Sequence, residues 1–135
     1  MIRPLLVPAI VVLALAGCGK ADSGAGSADA YAGLDPEIVS WRNHIEATHP
    51  ACATKVEGKG CESYQVTCKA AQEITPDETA RGVTAQVVAA MTFNGRNPDG
   101  STARPGSSFG LFSKAGGVWS RADAMPVNMT TCAPA

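Results

Sequence analysis

GVTAQVVAAMTF, residues 82–93, is the longest stretch of the chain that alternates like a β-strand. Successive residues of a strand point to opposite faces, so every second residue shares a face. The residues predicted to share its apolar face are Val83, Ala85, Val87, Ala89, Met91 and Phe93. Val88 and Ala90 make the opposite face only partly polar, which is typical of a strand covered on both sides. The stretch therefore predicts a central strand.

N-terminal to this strand, the sequence predicts a helix over residues 36–48. Asp35 is a suitable N-cap and Pro36 fits the first helical position. Apolar residues recur with helical spacing on one face of this segment, at Leu34, Ile38, Trp41 and Ile45. Such spacing predicts an amphipathic helix.

Residues 62–70 alternate as a second strand between polar and buried positions. Those predicted to share its buried face are Tyr64, Val66, Cys68 and Ala70. Between this strand and residues 82–93, the sequence from Thr75 to Glu78 has the spacing of a capping box and predicts one helical turn.

C-terminal to residues 82–93, a hairpin is predicted from residues 108–114 and 118–125, with Ala115 to Gly117 as its turn. The fold class predicted is α+β: one N-terminal amphipathic helix packed on an antiparallel sheet of about four strands, with disulfide bonds. This layout is similar to the cystatin-like arrangement, as a resemblance of architecture alone.

The N-terminus has the layout of a signal peptide. Arg3 precedes an apolar run from Leu5 to Ala16. As a helix, this region would span roughly 22 Å, which is short of the ~30 Å hydrocarbon core of a membrane. The sequence therefore favours a cleaved segment over a transmembrane helix.

Leu15-Ala16-Gly17-Cys18 resembles the lipobox of bacterial lipoproteins. The resemblance implies cleavage between Gly17 and Cys18, attachment of diacylglycerol to the Cys18 thiol, and a fatty acyl chain such as palmitate on the new amino terminus. Residues 19–33 are rich in Gly, Ala, Ser and Asp and predict a flexible tether. The chain therefore divides into a signal peptide (1–17), the lipidated cysteine with its tether (18–33), and a small α+β domain (34–135).

Gly19 follows the predicted lipidated cysteine. Lipoproteins with Asp at this position tend to stay in the inner membrane of Gram-negative bacteria. The resemblance therefore favours the outer membrane, with the domain facing the periplasm. Where no outer membrane exists, the outer face of the plasma membrane takes its place.

Five cysteines become an even set of four once Cys18 carries lipid. No C-x-x-C pair is present, so the spacing indicates two disulfides rather than a zinc site. The strand predicted over residues 62–70 places Cys61 and Cys68 too far apart to bond. Of the two pairings left, Cys52–Cys61 with Cys68–Cys132 is preferred, and the other remains open.

Composition and motifs argue against several functions. The net charge of −1 provides no basic surface for nucleic acid. His44, Glu46 and His49 spell H-x-E-x-x-H, but this spacing would set the imidazoles about 140° apart on a helix. No catalytic motif is present. The sequence therefore predicts no metal, no cofactor and no enzymatic activity.

Residues 94–107 are rich in Gly, Pro and Asn and predict a long loop. Arg96, Asp99 and Arg104 lie in it and, together with Trp119, form a candidate binding site, because Arg and Trp are common in binding hot spots. The alternative is that Trp119 fills the core and the loop is only solvated.

The function expected is that of a membrane-anchored, non-enzymatic lipoprotein acting through contacts with an unknown envelope protein. One alternative is an inhibitor of a periplasmic or exogenous hydrolase, either a lysozyme or a protease. A weaker alternative is a metal-dependent or hydrolytic enzyme.

Overall fold

The computed structural model describes residues 30–135. The predicted signal peptide, its cleavage site, the lipid-attachment residue Cys18 and most of the predicted tether lie outside the described residues. Within residues 30–135, the structure has a four-stranded antiparallel sheet, helices and two disulfide bonds. It therefore confirms the disulfide-bonded α+β class.

The elements follow one another along the chain and across the sheet in the same order. They are α1 (Asp35–Thr48), a 3₁₀ turn (Pro50–Cys52), β1 (Cys61–Ala71), α2 (Pro76–Ala80), β2 (Val83–Arg96), β3 (Thr102–Ala115) and β4 (Val118–Asp123). The sheet order is β1-β2-β3-β4, and each pairing is antiparallel. Strand β2 is therefore central, as its sequence predicts.

Helix α1 packs on one face of the sheet, which we call the inner face. Trp41 and Ile45 of the helix are buried, and the rings of Trp41 and Phe112 meet edge to face with centroids 5.5 Å apart. The strand residues in this buried cluster include Val87, Ala89, Met91, Phe93, Phe112 and Trp119. From Ala85 to Phe93, the residues that the alternation of 82–93 predicts to share a face therefore do lie together on the inner face.

The opposite face, here the outer face, is covered by the C-terminal residues 124–135. Val88 and Ala90 of β2 are buried there in one cluster with Cys132. Val127 and Met129 pack against the same cluster. Strand β2 is thus buried on both faces.

Strand β1 departs from regular alternation at Thr67, where the register shifts between Val66 and Cys68. The prediction that Tyr64, Val66, Cys68 and Ala70 share one face is wrong. Tyr64 and Val66 pack in the inner cluster, whereas Cys68 and Ala70 pack in the outer cluster. The physical reason is that a β-bulge inserts one residue and moves the following side chains to the other face.

Both preferred disulfides are confirmed. Cys52 bonds to Cys61 with their Cα atoms 5.0 Å apart, and Cys68 bonds to Cys132 with Cα atoms 5.6 Å apart. The first closes a local loop before β1, and the second ties the C-terminal segment to the outer face. The bulge in β1 brings Cys68 to the face where Cys132 lies.

The prediction of a long loop over residues 94–107 is wrong. Strand β2 continues to Arg96 and β3 begins at Thr102, so only residues 97–101 connect them. Gly106 is one of the glycines on which the loop prediction rests, yet it lies in β3 and pairs with Phe93 of β2. A Cβ atom there would come within 2.5 Å of the Phe93 ring, so the glycine makes room for that side chain.

Helix α1 begins at Asp35, one residue earlier than predicted. Leu34 occupies the N-cap position, and its side chain makes no capping hydrogen bond. The prediction of Asp35 as N-cap is wrong, because the backbone of Leu34 is already helical at φ −77° and ψ −29°. Asp35 instead lies in the first turn, near the positive end of the helix dipole.

Two local predictions concern turns. Thr75 Oγ1 accepts from Glu78 N at 3.2 Å, and Glu78 Oε2 accepts from Thr75 N at 2.9 Å, which confirms the capping box. The β3–β4 turn contains only Gly116 and Gly117, whose φ values are +56° and +77°. Ala115 pairs with Val118 and belongs to the strand, so the predicted turn is one residue too long.

Residues 30–33, assigned by sequence to the tether, lie against the sheet. The carbonyl oxygen of Ala32 accepts from Trp119 Nε1 at 2.9 Å and from Lys114 Nζ at 3.4 Å. Tyr31 packs against the inner cluster. In residues 30–135, no helix has both the length and the apolar character needed to cross a membrane.

The two disulfides are expected to differ in their contribution to stability. Replacing Cys68 and Cys132 with alanine frees a loop of 64 residues and should lower the free energy of unfolding by about 4 kcal/mol. The Cys52/Cys61 double variant opens a loop with a sequence separation of only 9 residues. Its free energy of unfolding should fall by about 3 kcal/mol. Urea unfolding of both variants measures the difference, and a larger loss for Cys52/Cys61 would contradict the entropic account.

Candidate functional site

Two clefts flank helix α1, one on each side of its buried face. The first, which we call the Glu46 cleft, lies between α1 and β1 and has a volume of about 330 Å³. Arg42, Glu46 and Tyr64 line it. The guanidinium of Arg42 lies 5.2 Å from the centre of the Tyr64 ring, a cation–π contact.

Glu46 is the polar centre of the first cleft. Its Oε1 accepts from Gly60 N at 2.5 Å and from Lys55 Nζ at 3.2 Å. Its Oε2 accepts from Cys61 N at 2.9 Å and from the Tyr64 hydroxyl at 2.6 Å. One carboxylate therefore joins α1, the loop closed by the first disulfide, and β1.

This environment controls the protonation of both partners. Partial burial acts to raise the pKa of Glu46, but hydrogen bonds from Gly60, Tyr64, Lys55 and Cys61 outweigh it and lower the pKa from 4.5 to about 2. Burial and the hydrogen bond to Glu46 raise the pKa of Tyr64. Near neutral pH the carboxylate is therefore ionised and the phenol keeps its proton.

The chemistry open to Glu46 is limited by these bonds. A carboxylate has about four lone-pair sites for hydrogen bonds, and four donors already contact this one. Its low pKa makes it a weak base and removes the proton that a general acid needs. Glu46 therefore suits a role in holding the loop rather than in catalysis.

Glu46, Cys52 and Cys61 also form the one group of potential metal ligands found in residues 30–135, with donor atoms within 4.8 Å of one another. The two sulfur atoms are bonded to each other. Zinc and similar ions bind the thiolate, which a disulfide does not provide. The group therefore does not fit a metal while this disulfide is intact.

The second cleft, which we call the histidine cleft, lies between α1 and strands β3 and β4 and has a volume of about 290 Å³. His44 and His49 both line it, together with Arg121 and Asp123. Arg121 Nη1 donates to Asp123 Oδ1 at 3.0 Å.

The spacing argument about the two imidazoles does not extend to His49. It holds only inside a helix, and α1 ends at Thr48, with His49 extended at φ −75° and ψ 133°. The His49 ring packs edge to face on Phe93 at 4.8 Å. Neither histidine belongs to a group of metal ligands in residues 30–135.

The residues predicted as a binding site are not brought together. Arg96 donates to Glu62 Oε2 at 3.1 Å, next to the turn of residues 97–101. Asp99 Oδ1 accepts from Ser101 N at 2.9 Å and so shapes that turn. Arg104 is exposed on β3.

Trp119 lies at the other end of the sheet. It pairs with Lys114 near the β3–β4 turn and is 7% exposed. Its indole belongs to the inner cluster, which is the alternative that the sequence left open. Arg96, Asp99 and Arg104 therefore share one end of the sheet without Trp119.

Sequence reasoning missed Glu46 as a centre of hydrogen bonds, and it missed Arg121 and Asp123 as cleft residues. The signal for the last two was present, since they alternate with Trp119 along β4. Once Trp119 is in the core, Arg121 and Asp123 must point to the same face.

No match to the chain is found among protein-family models, curated proteins or solved structures.

Replacing Glu46 with Gln is expected to lower stability at neutral pH and to flatten its dependence on acid. Because the folded pKa of about 2 lies below the ordinary value of 4.5, the stabilisation is fully present above pH 4.5 and is lost as the pH falls towards 2. The Glu46→Gln substitution should therefore lower the free energy of unfolding by about 1–3 kcal/mol at pH 7 and by much less at pH 2.

Urea unfolding at several pH values tests this, with Glu73→Gln as the control because Glu73 is exposed in the connection between β1 and β2. An unchanged pH profile in Glu46→Gln would show that the carboxylate does not stabilise the fold.

Proposed function

We propose that the protein is a lipid-anchored envelope lipoprotein whose folded domain acts, without catalysis, through contacts with another envelope protein. The observation that carries this proposal is Leu15-Ala16-Gly17-Cys18 after an apolar run. In this proposal Gly17 is the last residue removed, and Cys18 carries diacylglycerol and an acylated amino group. Two or more acyl chains give stable membrane attachment, whereas one does not.

The location proposed is the outer membrane, facing the periplasm, because Gly19 rather than Asp follows Cys18. In a cell without an outer membrane, the same anchor would hold the domain on the outer face of the plasma membrane.

The described part of the chain supports a defined orientation for such a domain. The chain enters at Ala30–Ala32, next to the β3–β4 turn, where Ala32 accepts from Trp119. Twelve residues, 18–29, precede this point, and they reach at most about 40 Å when extended. Strand β2 has 14 residues and is about 45 Å long.

The anchored end would therefore be the one with the β3–β4 turn, and the end with residues 97–101 would face away from the lipid. That far end carries the Arg96–Glu62 ion pair and the exposed Arg104. We place the proposed protein contact there.

The order of this far turn favours a second candidate, an inhibitor of a lysozyme or protease. Asn97 N donates to Ser101 O at 2.8 Å, and Asn97 Nδ2 donates to Ser101 Oγ at 2.9 Å. A turn ordered before binding loses less entropy when it enters an enzyme cleft. An enzymatic function is not proposed.

Cys18→Ala is expected to abolish both processing that is sensitive to globomycin, the inhibitor of the lipoprotein signal peptidase, and attachment to membranes. Cell fractionation and mass spectrometry of the mature chain measure these effects. Ser23→Ala is the matched control, since it changes a small residue beyond the lipobox. Normal processing of Cys18→Ala would overturn the anchor, while Gly19→Asp should move the protein to the inner membrane of a Gram-negative host.

The orientation gives a separate expectation about the partner. A photo-crosslinking residue at Arg104 should capture an envelope protein or a hydrolase, and the captured class decides between the two candidates. The same residue at Val118, which is 69% exposed beside the β3–β4 turn, should capture much less. Equal capture at both positions would contradict the far-end surface.

A further inference from the structure

We propose that the histidine cleft binds a small ligand through a carboxylate group, with Arg121 as the main donor. This inference is independent of the lipid anchor. It rests on the set of hydrogen-bond donors that line or adjoin the cleft.

Arg121 is the charged group of the cleft that is best placed for such a ligand. It lies on the inner face of β4, opposite Phe112, and its side chain is 18% exposed. A guanidinium has five N–H donors, and in residues 30–135 the side chain makes one hydrogen bond, to Asp123. The remaining donors match the two oxygens of a carboxylate.

Trp41 supplies a second, independent observation. Its indole Nε1 is buried and has no hydrogen-bond partner in residues 30–135. The adjoining Cε2 lies 3.3 Å from the Cβ position of Gly110, and Gly110 pairs with Asp123 of the cleft. Trp41 does not itself line the cleft. In the proposed complex the bound acceptor would reach its N–H past Gly110, since an unpaired buried N–H is costly.

His49 adds a third donor. Its Nδ1 accepts from Ala51 N at 3.1 Å, so the proton of the neutral ring resides on Nε2. Ser108, on the floor of the cleft, carries a hydroxyl group. His49 Nε2 and the Ser108 hydroxyl therefore add possible donors to those of Arg121, which favours a ligand that brings acceptors.

The charge balance favours a carboxylate over a phosphate. Arg121 is the one Lys or Arg side chain among the residues that line this cleft, and Asp123 lies beside it with a side chain that is 91% exposed. A phosphate monoester carries about −1.5 to −2 at pH 7 and would meet more repulsion from Asp123. Arg121 already pairs with Asp123, so a carboxylate, which carries a single charge, meets less repulsion at this neutral pair than a phosphate does.

The two tryptophans of the chain provide the test. The full chain, labelled with ¹⁵N and held in detergent micelles, should show two indole N–H signals, which Trp119→Phe assigns. Sodium acetate should move the Trp41 signal downfield in a saturable way, with half-saturation at about 1–10 mM. The Trp119 signal should stay in place, because its N–H already donates to Ala32.

Arg121→Gln should weaken acetate binding at least tenfold by this measure, whereas Arg81→Gln, exposed at the end of α2 and outside the cleft, should leave it unchanged. An unmoved Trp119 signal reports that the variant is folded; if it moves, Ser108→Val serves as the second variant and should also weaken binding. No saturable shift, an equal shift with sodium chloride, equal affinity for inorganic phosphate, or unchanged binding in the cleft variants would overturn the proposal.

Discussion

Burial of β2 on both faces is the constraint on which the other elements depend, because a strand with apolar residues on both sides needs two covers. Helix α1 provides the inner cover through Trp41 and Ile45. The C-terminal residues 124–135 provide the outer cover, which has few large side chains of its own. The Cys68–Cys132 bond holds this short segment against the sheet. The bulge at Thr67 allows that bond to form, because it places Cys68 on the outer face.

The carboxylate of Glu46 plays the corresponding part for the loop that precedes β1. Gly60 and Cys61 both donate their backbone N–H groups to Glu46. Its charge also fixes the Tyr64 hydroxyl as a donor. The Glu46 cluster therefore supports the fold, whereas Arg121 in the histidine cleft on the other side of α1 makes one hydrogen bond in residues 30–135.

The two ends of the sheet differ in what they can contact. The end with the β3–β4 turn receives the incoming chain, and Trp119 and Lys114 hold it there through Ala32. The end with residues 97–101 is separated from it by the length of β2. Under the proposed anchor, this separation makes one end a membrane-side support and leaves the other end free for a protein contact, while the histidine cleft opens beside the helix between them.

Local rules determined those features that depend on neighbours in the chain. The alternation of residues 82–93 and the capping box at Thr75 follow from spacing, since helices and strands have fixed periods. Strand spacing also argues against a Cys61–Cys68 bond. The tertiary structure decided the features that depend on distant contacts. Gly106 lies in β3, where the absence of a side chain leaves room for the Phe93 ring. The bulge at Thr67 moves Cys68 to the outer face of the sheet. The extended backbone after α1 lets His49 line the same cleft as His44, because helical spacing ends where the helix ends. The Glu46 cluster could not be predicted from the sequence. Glu46 and its hydrogen-bond donors lie far apart along the chain and meet only when α1, the disulfide loop and β1 pack together.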